Sequence, residues 1–304
     1  MATWGERVCA ACDANLVRDL FSRKQWSLGA GASRCLGCVS AGEGASFTSS
    51  RRNLSRHVTF GHAAFAEGSF KRCFLGTYDE GARSGQACVV KFFRDRAVFE
   101  SSFFDAEMSV VAKSLELLSQ WNGARFISQK VRLNEPEIWR VESGDREGQR
   151  SLVEPYIESF AKFNSNSGWT TGDGSSWAEL MQALSHYSYH NSSGMTLLCD
   201  LQGGIYADGA ILTDPVIMSG IAGRYGPADL GREGIISFFS QHTCGKYCRA
   251  EWTKPRERTA FFHPTAATTM RPTGPTAPHG APFMSGGVGA APALYEDDSD
   301  SDSD

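Results

Sequence analysis

Apolar positions recur with helical and with strand periods in the middle of the chain, between about Arg56 and Lys254. Five apolar residues of one stretch recur at helical spacing: Phe104, Met108, Val111, Leu115 and Leu118. We therefore predict an amphipathic helix from Asp105 to Trp121. Ser176 followed three residues later by Glu179 is typical of a capping box, which predicts that a second helix begins there.

Three runs rich in β-branched, aromatic and other apolar residues predict strands. They cover residues 87–93, 151–157 and 195–201. The first run contains a single charged residue, Lys91, and the third has Asp200 near its end. Because strand ends lead into loops, where proteins place many of their functional residues, Asp200 is a candidate site residue.

The composition is that of a folded domain with polar ends. The chain has 304 residues, 41% hydrophobic and 11% aromatic, which is enough for a sizeable core. It has no run of eighteen uncharged apolar residues and no signal-peptide pattern at its start, so we expect no membrane segment and a cytoplasmic or nuclear location. The net charge of −4 includes an acidic end, Asp297–Asp304, and the nearly neutral remainder argues against nucleic acid as a partner.

Three regions differ in composition. Residues 1–44 are polar and Cys-rich, and we predict a small metal-binding module there. Residues 45–258 carry the periodic pattern of the main domain. Residues 259–304 are rich in Pro, Gly, Ala and Thr before the acidic end, and we predict a disordered tail because they cannot bury enough apolar surface to offset the entropy of ordering.

The first region contains two Cys-x-x-Cys pairs, Cys9 with Cys12 and Cys35 with Cys38. Four thiolates suit tetrahedral zinc, and so short a segment needs a metal to fold. Redox or disulfide pairs are the alternative, which the absence of a secretory signal disfavours. The pattern is similar to Stc1-type zinc fingers, and that resemblance implies docking of a protein partner.

Several motifs between residues 186 and 248 carry metal-binding and phosphate-binding side chains. Asp200 and Gln202 lie two positions apart at a strand end, so we expect both on one face, where their oxygens suit Mg²⁺. The segment 226–231, Gly-Pro-Ala-Asp-Leu-Gly, is a glycine loop or a simple helix entry. A His/Cys set suits a closed structural zinc site, and its members are His186, His242, Cys244 and Cys248.

These motifs, in this order, resemble the alpha-kinase family, which includes myosin heavy-chain kinase and elongation factor 2 kinase. The resemblance covers about residues 56–254, and it implies a two-lobed α+β fold related to that of ordinary protein kinases. It also implies transfer of the ATP γ-phosphate, with Mg²⁺, to Ser or Thr of a protein substrate, more often Thr. Zinc is implied at the His/Cys set, with a second zinc expected in the N-terminal module.

The same resemblance assigns roles to individual residues. Lys91 is expected to contact the phosphates with Glu107 as its ion-pair partner, although Asp105 competes for that role. Asp214 is expected to position the acceptor hydroxyl. The remaining residues have three expected roles: Gly68, Lys71 and Glu154 bind the nucleotide, Asp200 and Gln202 bind Mg²⁺, and Gly226, Ala228 and Gly231 hold the peptide substrate.

The chain departs from the family pattern at three places. Two of them, Lys71 and the long loop before Asp214, favour a second hypothesis, which the retained Lys91, Asp200, Gln202 and Asp214 oppose more strongly. Lys71 stands where the family has an arginine, so the bidentate fork of the guanidinium is missing. The loop from Gly203 to Leu212 is several residues longer than usual, and a His that often follows the Asp-Pro pair is absent near Met218. A catalytically weak pseudokinase that recruits partners through its zinc finger is therefore the alternative.

Overall fold

The computed structural model describes residues 5–9, 15–30, 33, 35, 51–94 and 101–271. The sequence predictions for Cys12, Cys38 and the acidic end lie outside these residues. In the N-terminal module, strand β1 (Glu6–Val8) pairs antiparallel with β2 (Asn15–Val17), and a helical turn leads to the short helix α1 (Arg23–Ser27). The backbone N–H of Cys35 lies 3.2 Å from Cys9 Sγ, although the two are 26 residues apart in the chain.

A five-stranded antiparallel sheet forms the first lobe of the main domain, with strand order β3-β4-β5-β8-β7. Its strands are β3 (Val58–Glu67), β4 (Lys71–Tyr78), β5 (Ala87–Phe93), β7 (Glu137–Arg140) and β8 (Arg150–Pro155). Phe74, Phe92 and Val153 form part of its apolar core. The predicted strand 151–157 is two residues shorter at its end, because Tyr156 and Ile157 lie beyond the sheet.

The second lobe combines helices with short strands. Its helices are α3 (Ser176–Asn191) and α4 (Gly231–Gln241), and the long helix α2 (Ser101–Ala124) packs on the same core. Its strands are β6 (Lys130–Leu133), β9 (Ala161–Lys162), β10 (Thr196–Cys199), β11 (Gln202–Tyr206), β12 (Gly209–Leu212) and β13 (Val216–Ser219). They form a four-stranded sheet, β6-β12-β11-β9, and the separate pair β10–β13.

Side chains from α2, α3 and the strands of the second lobe share one hydrophobic core. Trp121, Leu184, Leu198 and Ile217 are each at most 1% exposed there. Burying each such side chain contributes about 1.5–3 kcal/mol, so this core fixes the position of the loops that follow β10 and β12. The predicted helix 105–121 is confirmed within α2. Helix α3 is capped by Ser175 rather than Ser176, since the Ser175 hydroxyl accepts the Ala178 N–H.

Residues 262–271, here called the C-terminal segment, pack against the main domain, which corrects the predicted disorder for the first part of the tail. Phe262 is 6% exposed and contacts the core beside α4, and Thr269 is also 6% exposed. The segment forms hydrogen bonds with the side chains of Asn166 and Ser167, so tertiary contacts order it although its sequence has no periodic apolar pattern. Among the described residues, no helix combines the length and apolarity that crossing a bilayer requires.

Candidate active site

A cleft of about 940 Å³ lies between the five-stranded sheet and the second lobe. Most of the residues singled out in the sequence line it: Gly68, Lys71, Lys91, Glu107, Glu154, Asp200, Gln202, Asp214, Gly226 and Ala228. Of the residues expected to act in catalysis, nucleotide binding or the substrate loop, only Gly231 does not line it; this residue lies at the start of α4. Residues from distant parts of the chain are thus brought together in one space.

Lys91 projects from β5 into the cleft and is 3% exposed. Its Nζ lies 2.5 Å from Asp214 Oδ2 and 2.9 Å from Glu154 Oε1, and it donates to Thr213 Oγ1 at 3.0 Å. Burial opposes the positive charge, but the carboxylates of Asp214 and Glu154 outweigh it and raise the pKa of Lys91. The cleft therefore holds a buried, charged ammonium group.

Lys71, at the start of β4, supplies a second ammonium group. Its Nζ lies 2.5 Å from Glu107 Oε1 and 2.8 Å from Asp214 Oδ1. Burial again opposes the charge, and Asp214 and Glu107 raise the pKa of Lys71 above its ordinary value. The expected pairing of Glu107 with Lys91 is wrong: Glu154 on the neighbouring strand β8 already pairs with Lys91, while Glu107 on α2 contacts Lys71. Asp105 is exposed on α2.

Asp214 lies between the two lysines, with one carboxylate oxygen toward each. Burial raises the pKa of Asp214, but Lys71 and Lys91 outweigh that effect and hold the pKa well below its usual range. Its backbone φ of +46° is a left-handed conformation that residues other than Gly rarely adopt. Such a conformation is common at functional sites, where the surrounding structure holds it in place.

The long stretch before Asp214 is a β-hairpin formed by β11 and β12. It closes on itself, and the Thr213 N–H donates to the Gln202 carbonyl at 3.0 Å. Gly203 permits the close approach of the two strands, since a Cβ there would lie 1.9 Å from the Ile211 carbonyl oxygen. The hairpin therefore places Asp214, two residues after β12, beside the two lysines.

Asp200 follows β10 and is 1% exposed. Its Oδ1 lies 2.9 Å from Lys162 Nζ, and its Oδ2 accepts a hydrogen bond from Thr268 Oγ1 at 2.9 Å. Burial raises the pKa of Asp200, with Lys162 as the opposing influence. The sequence alone assigned no chemistry to Lys162. Its one sequence signal was that it lies in a segment similar to the alpha-kinase family.

Asp200 and Gln202 do not share a strand face as expected. Asp200 has a left-handed φ of +58° and lies before β11, which begins at Gln202. Both side chains nevertheless line the cleft, where the Gln202 amide N–H donates to the Asp214 carbonyl at 3.4 Å. A carboxylate and an amide oxygen beside one cleft are a donor set that suits Mg²⁺.

The glycine loop, residues 226–231, is held by a buried aspartate that sequence reasoning missed. Asp229 accepts hydrogen bonds from the N–H groups of Ser219 and Gly231, both at 2.9 Å, and from the Ser219 hydroxyl. Gly231 has φ +74°, and a Cβ there would lie 2.9 Å from Ala222. These hydrogen bonds hold the loop against β13 and the start of α4, and Pro227 and Ala228 line the cleft.

The His/Cys set is brought together as the sequence indicated. One donor atom from each of His186, His242, Cys244 and Cys248 lies within 4.8 Å of the others. His186 Nδ1 is 3.2 Å from His242 Nε2, and the opposite ring nitrogen of His186 contacts the Thr253 carbonyl at 3.1 Å. That carbonyl orients the ring and leaves Nδ1 as the atom that can bind a metal.

The protonation of this set fits a metal. Burial lowers the pKa of His186 to about 4 and that of His242 to about 3, so both rings are neutral near pH 7 and have a lone pair to donate. Burial and the neighbouring Cys244 raise the pKa of Cys248 to about 12. A cation is needed to ionise the thiols, and zinc is the metal that this donor set suits.

Comparison with known proteins identifies the fold. The solved structure of an alpha kinase from Entamoeba histolytica superposes with a TM-score of 0.56 at 20% identity, over 69% of this chain and 84% of that one. The inactive alpha-kinase domain of myosin-II heavy chain kinase A, complexed with ATP, gives a TM-score of 0.52 at 19% identity, over 63% of this chain and 87% of that one. The fold is thus that of an alpha-kinase domain.

The model of the alpha-kinase family matches residues 66–248, and the chain belongs to this family. Alpha-protein kinase vwkA of Dictyostelium discoideum is 39% identical over 98 residues, which cover 32% of this chain and 15% of that protein. Myosin heavy chain kinase B of the same organism is 29% identical over 190 residues, or 61% of this chain and 24% of that protein. The chain therefore spans less than a quarter of the length of these two relatives.

Proposed function

We propose that this protein is an ATP-dependent protein kinase that phosphorylates Ser or Thr, more often Thr, of a protein substrate. The observation that carries the proposal is the arrangement of Lys71 and Lys91 around Asp214 in one cleft, with Asp200 and Gln202 on its other wall. Phosphoryl transfer needs cations near the phosphates, carboxylates that hold a metal, and a group that positions the acceptor. The cleft contains side chains suited to each task.

In this proposal, the two ammonium groups of Lys71 and Lys91 bind phosphate oxygens and neutralise their charge. Glu154, beside the segment that joins the lobes, contributes to the nucleotide site, and Gly68 allows the turn after β3 to approach the phosphates. Asp200 and Gln202 would hold Mg²⁺, which when bound would neutralise charge on the transferred phosphate. Lys162 keeps the Asp200 carboxylate in place through its ion pair.

Asp214 orients the acceptor hydroxyl and takes its proton. The hydroxyl oxygen then bonds to the γ-phosphorus, the bond from that phosphorus to the β-phosphate oxygen breaks, and ADP leaves with the bonding electrons. The low pKa of Asp214 keeps it ionised and ready to accept a hydrogen bond from the acceptor hydroxyl. Gly226, Ala228 and Gly231 belong to the loop that we assign to the substrate peptide, and the lining of the cleft by Gly226 and Ala228 supports this assignment.

Zinc at the His186–Cys248 set is proposed to be structural, because its four donors leave no open position for a reactant. We also assign zinc to the four N-terminal cysteines. The contact between Cys9 and Cys35 supports this second site, while Cys12 and Cys38 lie outside the described residues. This small module is proposed to dock a protein partner.

The test is transfer of labelled phosphate from ATP, with Mg²⁺, to a basic protein and to the enzyme itself, beside an Asp214→Ala variant. Transfer onto Ser or Thr that falls about 100-fold in the variant is the expected result. A folded, zinc-loaded and nucleotide-bound protein without any transfer would instead establish the pseudokinase alternative. The ion pairs between Asp214 and both lysines disfavour that alternative, because the hairpin has not displaced the aspartate.

A further inference from the structure

The C-terminal segment, residues 262–271, crosses the mouth of the cleft and contacts both of its walls. On one side, Thr268 Oγ1 donates to Asp200 Oδ2 at 2.9 Å. On the other side, the Ser69 hydroxyl, in the turn between β3 and β4, donates to the Thr268 carbonyl at 3.2 Å. Thr268 therefore holds a position between the nucleotide-binding turn and the metal-binding aspartate of the proposed kinase.

The backbone around Thr268 is bound in the way that a groove binds an extended peptide. The side chain of Asn166, which is fully buried, accepts the Thr269 N–H at 2.9 Å and donates to the Thr269 carbonyl at 2.7 Å. The Arg271 N–H donates to the Pro227 carbonyl at 2.9 Å, in the glycine loop. Such contacts recognise the main chain and leave specificity to side chains.

One side-chain contact supplies specificity. The Arg271 guanidinium forms an ion pair with Glu233, in the first turn of α4, and lies 5.6 Å from the Phe262 ring centre. Arg271 is three positions after Thr268 along the chain. The groove thus combines a hydroxyl at Asp200, main-chain contacts at Asn166, and an acidic side chain three residues further on.

We propose that the C-terminal segment occupies the binding site for the protein substrate, with Thr268 in the place of the acceptor residue and its hydroxyl on Asp200 rather than on Asp214, and that Glu233 selects substrates with a basic residue three positions after the acceptor. This inference rests on the proposed kinase function. The segment lies beyond residues 66–248, so it is a feature of this chain outside the part matched by the family model. It acts as an internal competitor, and it also engages one Asp200 oxygen that Mg²⁺ would use.

Binding of a peptide to the protein tests the inference without catalysis. The probe is a fluorescent version of residues 264–271 in which Ala replaces Thr265 and Thr269, so that Thr268 is the single hydroxyl acceptor. It is compared with the same peptide carrying Ala in place of Arg271. Arg271→Ala in the protein should lower the Kd of the Arg peptide about 10-fold, because it releases Glu233 and loosens the internal competitor. Arg256→Ala, at an exposed residue of the preceding stretch, is the matched control and should leave the Kd unchanged. An equal Kd in all three proteins would overturn the internal competition.

Kinetics of the same two peptides test the selection by Glu233. The peptide with Arg should have a kcat/KM about 10-fold higher than the peptide with Ala in the wild-type protein, and Glu233→Gln should remove that difference. Phosphorylation of both peptides with equal kcat/KM by an enzyme that phosphorylates a basic protein normally would refute the inference and leave the kinase function intact. No transfer to any substrate would refute the kinase function, while the binding experiment would still decide whether the segment competes for the groove.

Discussion

The cleft and the His/Cys set are both buried clusters of ionisable groups, but they differ in whether buried charges are compensated within the protein. In the cleft, Lys71 and Lys91 are compensated by Asp214, Glu107 and Glu154, so each charge has a partner within the protein. In the His/Cys set, two neutral imidazoles and two thiols face one another without any countercharge among them. We therefore expect the first cluster to fold without a ligand and the second to gain stability from the zinc proposed for it.

Removal of zinc is the largest expected effect. Chelation should lower the free energy of unfolding by about 4 kcal/mol and the Tm by about 10 °C, because the set joins α3 to the chain after α4. Thermal unfolding with and without a chelator, together with measurement of bound zinc, checks this. Cys248→Ser should lose the metal, and Cys73→Ser, in the cleft, should retain it.

The pH dependence of zinc binding has a defined sign. The pKa of Cys248 is raised to about 12, so zinc must displace a proton from the thiol when it binds. Affinity should therefore fall as the pH is lowered from 8 to 6. An affinity independent of pH over this range would show that the thiols are not ligands.

Asp214→Ala should lower kcat about 100-fold, the lower end of the range for a general base and equivalent to about 2.7 kcal/mol. The two lysines keep Glu107 and Glu154 as partners, so nucleotide binding should persist. Steady-state kinetics and nucleotide titration check both statements. Asp208→Ala, in the turn of the β11–β12 hairpin, is the matched control, and an equal loss there would indicate damage to the hairpin.

Substitutions of Lys71 test how much the geometry of the cation matters in the cleft. Lys71→Met should lower kcat/KM about 10-fold, since it removes a phosphate contact and leaves Glu107 unpaired. Lys71→Arg should retain activity within about 3-fold, because the guanidinium can reach both carboxylates. Comparison of kcat/KM for the two variants shows whether the positive charge or the shape of the side chain at position 71 matters more. A larger loss of kcat/KM in Lys71→Arg than in Lys71→Met would show that the shape matters more.

The smallest expected effect is the stability contributed by Asp214 in the absence of nucleotide. Its pKa is lowered in the folded state, so its contribution is present above the ordinary value of 3.8 and is lost as the pH falls through the lower folded value. Asp214→Asn should lower the free energy of unfolding by about 1 kcal/mol at pH 7. Urea unfolding from pH 7 to 3 checks this, and a difference that grows toward low pH would contradict it.

Much of the site was predictable from residue types and their order. Lys91 on a strand, Asp200 at a strand end and the His/Cys spacing are local patterns, and the structure places each as expected. The length of the Gly203–Leu212 loop was also evident from the sequence, but its hairpin conformation was not. A hairpin depends on strand pairing, and here pairing returns Asp214 to the lysines.

The sequence by itself determined the alpha-kinase family resemblance, the mixed α and β periods and the chemistry of the candidate groups, because these depend on side-chain identity and short-range spacing. Only the tertiary structure decided which groups pair. Glu107 with Lys71, Lys162 with Asp200, and Thr268 with Asp200 are separated by 36, 38 and 68 positions in the chain. Such pairings depend on how helices and strands pack in space, and a local sequence pattern does not determine which distant residues come into contact.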